Sequence, residues 1–166
     1  MTRVGLDCDS AGSAGLLVDT NLLVLFAVGT VNRGRIETFK RTRQYTAADY
    51  DLLVRVFAKF APLYTVAHVM AEVSNLTDLR DSEGRLARRV LKETISLLNE
   101  AEMSSRLAAE DELFNDLGLV DAAIGAVARA HRCGVLTDDF DLYLRLRNGN
   151  VNVLNFTHLR ARAWGV

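Results

Sequence analysis

Residues 15–31 read GLLVDTNLLVLFAVGTV and form the most hydrophobic stretch of the chain. A membrane helix is one reading of about 17 apolar residues, although that length is marginal. Asp19 and Asn21 speak against it, because an acid at mid-membrane costs several kcal/mol. The pattern instead predicts a short buried strand, Leu16–Val18, a polar edge at Asp19-Thr20-Asn21, and an apolar helix from Leu22. An acid set inside so apolar a segment needs a partner, which marks Asp19 as a candidate functional residue.

The same alternation recurs downstream. Thr46 is a candidate N-cap for a helix carrying Leu52, Leu53, Val56, Phe57 and Phe60, and Ala61-Pro62 breaks it. Leu63–Val66 reads as a second strand and Ala67–Leu76 as the helix after it. Asp81 and Ser82 precede an amphipathic helix. Ser104 or Ser105 opens a short helix that ends near Gly118. An Ala-rich helix over 122–131 follows Leu119-Val120-Asp121, with Gly134 expected to close it. Residues 135–137 and 151–155 read as two further strands. Strands alternating with helices predict an α/β fold, a three-layer α/β/α arrangement around a central, mostly parallel sheet of four or five strands.

The chain has 166 residues, which suits a single domain over 15–166 preceded by a loose tail over 1–14. Hydrophobic residues make up 49% and charged residues 25%, a globular balance. The net charge of −1 argues against a strongly cationic nucleic-acid binder but leaves room for a local patch. Such a patch lies over residues 33–59, with seven basic and three acidic side chains. Cys8 and Cys133 have neither metal-finger nor disulfide-framework spacing, so a reducing, cytoplasmic setting without a membrane span is expected.

The acids carry the chemistry. Asp19 falls at the end of the first strand, Asp139 just past the 135–137 strand, Asp121 at a helix start and Glu72 in the helix after the second strand. In open parallel sheets, ligands bind beyond the carboxyl ends of the strands, so the four can converge there. Convergent carboxylates repel one another and call for a cation. Hard oxygen donors favour Mg²⁺ or Mn²⁺, which suits phosphodiester hydrolysis. Each acid alone has a plainer reading: Asp121 as a helix N-cap, Glu72 as a solvated helix residue, and Asp138, Asp139 and Asp141 as an exposed turn.

The chain resembles the PIN-domain family of metal-dependent ribonucleases, including its toxin-like members. The resemblance rests on LLVDTNLLV (16–24), HVMAEVSNL (68–76), LGLVDAAIGAVARAHRCGVLTDDFDL (117–142) and VNVLNF (151–156). It implies a Mg²⁺- or Mn²⁺-dependent endoribonuclease with Asp19, Glu72, Asp121 and Asp139 as catalytic acids. Asp19, Asp121, Asp139 and Asp141 would be metal contacts, with Asn21, Thr137 and Ser74 as polar support. It also implies an RNA substrate, a homodimer and an antitoxin protein that blocks the site. Phosphate contacts are expected from basic residues around the acids, notably Arg41, Arg43 and Arg145. The longer tail before Leu16 and the basic stretch 33–43 depart from the compact toxin members. A non-catalytic PIN-like binding module is the alternative, and it would show a missing acid. Other phosphate chemistries fit less well. A haloacid-dehalogenase-type phosphatase wants D-x-D-x-T where Asp19-Thr20-Asn21 stands, and glycine-rich phosphate loops are absent.

Overall fold

The computed structural model describes residues 15–165. The tail expected over 1–14, with Cys8, lies outside them. Five strands, β1 (Leu16–Val18), β2 (Leu63–Val66), β3 (Asn99–Ala101), β4 (Gly134–Thr137) and β5 (Val153–Asn155), form one sheet. Its order is β3-β2-β1-β4-β5 and every pairing is parallel. The described helices are α1 (Thr20–Val31), α2 (Ala47–Lys59), α3 (Ala67–Leu76), α4 (Asp81–Leu97), α5 (Ser105–Ala109), α6 (Phe114–Leu117), α7 (Leu119–His131), α8 (Phe140–Asn148) and α9 (Phe156–Trp164). With the sheet they make a three-layer α/β/α fold. One helical group gathers around α1, which packs on α2, α3 and α4, and another around α7, which packs on α5 and α6.

The central strands explain their own sequences. Leu16, Leu17, Val18, Val135 and Leu136 are fully buried, because both faces of a parallel sheet are covered. Helix α1 is apolar on nearly all sides since it lies among the sheet and three other helices. Among the described residues, no helix is long and apolar enough to cross a membrane.

The strand order positions the site. The chain lays β2 and then β3 outward on one side of β1, then returns to place β4 and β5 on the other side. The reversal falls between β1 and β4, and at such a switch point the flanking loops part and leave a crevice at the carboxyl rim. Asp19 follows β1, and Asp138 and Asp139 follow β4.

Two expectations need correction, and the fifth of the expected four or five strands needs placing. The fifth strand, β3, had no sequence signal: it is a three-residue edge strand whose Asn99 and Glu100 are exposed. The single helix expected from Ser104 or Ser105 to Gly118 is two, α5 and α6, with Ser104 capping the first through Leu107 N–H. Gly134 does not end α7. Arg132 does so with φ 52°, and Gly134 opens β4.

Residues 32–45 form an ordered strap. A 3-10 turn at Arg33–Arg35 is capped by Asn32, and the strap buries Ile36, Thr42 and Tyr45. Ion pairs fasten its outer side: Arg33 to Asp51 at 2.5 Å, Arg35 to Glu83 at 2.7 Å and Lys40 to Asp78 at 3.0 Å. Thr46 and Asp49 then start α2 with a reciprocal capping box.

Candidate active site

Asp19 is 5% exposed and sits between β1 and α1. Its Oδ1 accepts the Thr20 N–H at 2.6 Å, and its Oδ2 accepts the Thr137 hydroxyl at 2.5 Å. Thr137 is the last residue of β4, and its Oγ1 also accepts the Asp139 N–H at 2.9 Å. One buried threonine thus ties the ends of two neighbouring strands together. Asp139 caps α8, its Oδ1 accepting the N–H groups of Asp141 and Leu142 at 2.8 and 3.0 Å. Glu72, on α3, accepts the Thr20 hydroxyl at 2.7 Å.

Asp121 is set up differently from the helix N-cap its sequence context suggests. That helix starts two residues earlier, at Leu119, and its N-cap is Gly118 with φ 92° and ψ −175°. Only glycine adopts this conformation without strain; an added Cβ there would meet nothing within 4 Å, so the constraint is on the backbone rather than on space. The cap makes no side-chain hydrogen bond, and Asp121 stands in the first turn. Its carboxylate has neither a hydrogen bond nor an ion pair among the described residues. Burial first, then the charges of Asp19, Asp139 and Glu72, push its pKa from 3.8 to about 7. Burial also raises Asp19 to about 6: the Thr137 and Thr20 hydrogen bonds oppose the rise, and Asp138 and Asp139 add to it.

These mutual effects couple Asp19, Glu72, Asp121 and Asp139 electrostatically, with Asp19 buried, Glu72 and Asp121 half-buried and Asp139 exposed. Among the described residues, no three carboxylate, imidazole or thiol groups are gathered into a ready metal cage. The donor set nonetheless fits a hard divalent cation. It is all oxygen, one member lacks any donor or counter-charge, and two members have their ionisation opposed, first by burial and then by neighbouring carboxylates.

Asp138 is the acid that sequence reasoning passed over. Its carboxylate accepts the Tyr45 hydroxyl on one oxygen and the Asn21 amide, at 3.3 Å, on the other. Asn21 therefore serves Asp138 and makes no bond to the four acids. Tyr45 is 1% exposed. It packs edge-on to Phe156 at 6.4 Å, under the Arg160 guanidinium at 5.5 Å. Burial and the Asp138 charge push its hydroxyl far above its ordinary pKa, so it remains a donor. Arg160 also binds the buried Asp49 at 2.7 Å, and the Trp164 indole reaches the same carboxylate oxygen at 3.4 Å. The only sequence trace of this anchor was Thr46, the candidate N-cap that follows Tyr45.

The remaining candidates are scattered. Asp141 is exposed, and its backbone rather than its side chain meets Asp139. Ser74 is exposed and, two residues from Glu72, points off another face of α3. Arg145 is paired with Asp116 at 2.7 Å. Arg41 and Arg43 are exposed and form no ion pair among the described residues. A cleft of about 590 Å³ between the strap and the start of α4, lined by Arg35, Lys40, Asp78 and Glu83 among others, contains none of the four acids. No family model, curated protein or solved structure matches the chain.

Proposed function

We propose that the chain is a Mg²⁺- or Mn²⁺-dependent endoribonuclease of the PIN-like kind. The observation that carries this reading is Asp121, a half-buried carboxylate with no donor, facing the charges of Asp19, Asp139 and Glu72 at the sheet's switch point. A fold does not collect three acids around one unpaired carboxylate for stability, because each added charge opposes the others.

Asp19, Asp121 and Asp139 would hold the ion. When bound, it supplies the positive charge that offsets the carboxylates and the charge growing on a phosphate under attack. Thr137 fixes the Asp19 rotamer and the Asp139 backbone together, so the two carboxylates keep a constant separation. Glu72, steadied by Thr20, orients the attacking water. Arg41 and Arg43, exposed and outside any ion pair among the described residues, would meet substrate phosphates. The resemblance in sequence extends the reading to in-line hydrolysis leaving a 5′-phosphate, and to an antitoxin-controlled homodimer.

The test is cleavage of mixed RNA with Mg²⁺ and with Mn²⁺ by the wild type, Asp19→Asn and Asp121→Asn. The reading expects cleavage by the wild type and a loss of at least about 100-fold in each variant. Equal rates in all three proteins would remove the site. No cleavage by a folded wild type with either ion would leave a binding module.

A further inference from the structure

We propose that Phe140 and Tyr143 form a stacking platform for an unpaired nucleobase of single-stranded RNA, next to the acid crevice. The identity of the ligand rests on the nuclease reading, which this inference deepens. Phe140 directly follows Asp139 at the start of α8, yet it is 56% exposed. Most large aromatic rings gain from burial, so a bare one at the rim of a crevice is informative. Its ring stacks on Tyr143, three residues along the same helix face, with centroids 6.3 Å apart and planes 29° apart. Tyr143 is itself braced. The exposed His158 ring meets it edge-on at 5.4 Å, and Arg147 donates to its hydroxyl at 3.2 Å.

The pair is thus braced and amphipathic, with the Arg147 guanidinium at its border. Arg147 carries positive charge beside the rings, where the phosphates flanking a stacked base would pass. A flat apolar face edged by a guanidinium is complementary to a splayed nucleotide. A base-paired duplex hides its base faces within the stack and cannot use the platform. Because α8 springs from the residue that caps it, Asp139, a base on Phe140 would lie beside that acid.

The experiment is fluorescence anisotropy on the full chain in EDTA, where cleavage is blocked. The probes are a labelled ribo-oligonucleotide of about ten nucleotides and an RNA duplex of equal length. Base stacking of about 1–3 kcal/mol predicts that Phe140→Ala binds the single strand roughly 5- to 150-fold more weakly, with Phe140→Trp restoring affinity. Duplex binding and melting temperature stay unchanged, since the ring is exposed. Equal affinities for the wild type and Phe140→Ala, no binding of the oligonucleotide by the wild type, or a Phe140→Ala effect confined to self-association would each overturn the platform. The two readings fail separately. Metal-dependent cleavage that ignores Phe140 removes the platform and keeps the nuclease. Phe140-dependent binding without cleavage in Mg²⁺ or Mn²⁺ does the reverse.

Discussion

Replacing Asp121 with Asn deletes a charge that the fold opposes. Burial and three neighbouring carboxylates raise this acid from 3.8 to about 7. Between those values the native state binds the proton and the unfolded chain does not. Stability therefore falls as pH rises from about 4 to about 7, and the loss is complete above 7. About three pH units at roughly 1.4 kcal/mol each set a ceiling of about 4 kcal/mol. The side chain is only half-buried and water screens it, so about 1–2 kcal/mol is the expected effect. Asp121→Asn should then melt about 2–8 °C above the wild type at pH 8 in EDTA. The gain should shrink steadily toward pH 4, where both proteins are uncharged at this position. Circular-dichroism melts at several pH values measure it. Equal melting at pH 8, or a gain that does not depend on pH, would refute the electrostatic account of the crevice.

Three further outcomes follow from the same geometry. Millimolar Mn²⁺ at pH 7.5 should raise the wild-type melting temperature by several degrees, and much less in Asp19→Asn or Asp121→Asn; a flat wild-type titration sinks the metal assignment. Tyr45→Phe keeps the ring between Phe156 and Arg160 but withdraws a donor from Asp138, at a cost of about 1–2 kcal/mol in urea unfolding; no change would mean the hydroxyl does not anchor the strap. Arg160→Ala strands Asp49, which is 1% exposed, at a cost of about 3–4 kcal/mol. Burial pushes Asp49 up, but Arg160 and the Thr46 donors win and hold it below its ordinary value. Its contribution is therefore present above about pH 4 and disappears as pH falls through the lowered folded value, so the stability of Arg160→Ala should vary less with acid. A variant with an unchanged acid limb would contradict that sign.

Strands β1, β2, β4 and β5 were legible because buried parallel strands are apolar runs bounded by polar turns. The helix over Ala67–Leu76 was legible for the equivalent reason, a periodic face. Edge strand β3 was not, since Asn99-Glu100-Ala101 forms by backbone pairing with β2 and has almost nothing to bury. The strap was opaque because its anchors, Ile36, Thr42 and Tyr45, follow no helical or strand period. The placing of Asp19 and Asp139 at strand ends followed from pattern alone. The position of Asp121 depended on where α7 starts, and that is decided by a glycine's backbone angle rather than by hydrophobicity. Asp138 was hidden in a run of similar acids. Which neighbour faces the crevice and which faces the strap is a matter of one peptide's rotation.

The Thr137–Asp19 bond spans 118 residues of chain. A polypeptide still being synthesised, or cut short before β4, possesses Asp19 and Glu72, both bonded by Thr20, but lacks the Thr137 hydroxyl and Asp139. On the proposed reading, the set of acids is complete only once β4 has docked against β1. For a molecule that would attack cellular RNA, including the message it is read from, this delay is a built-in safeguard.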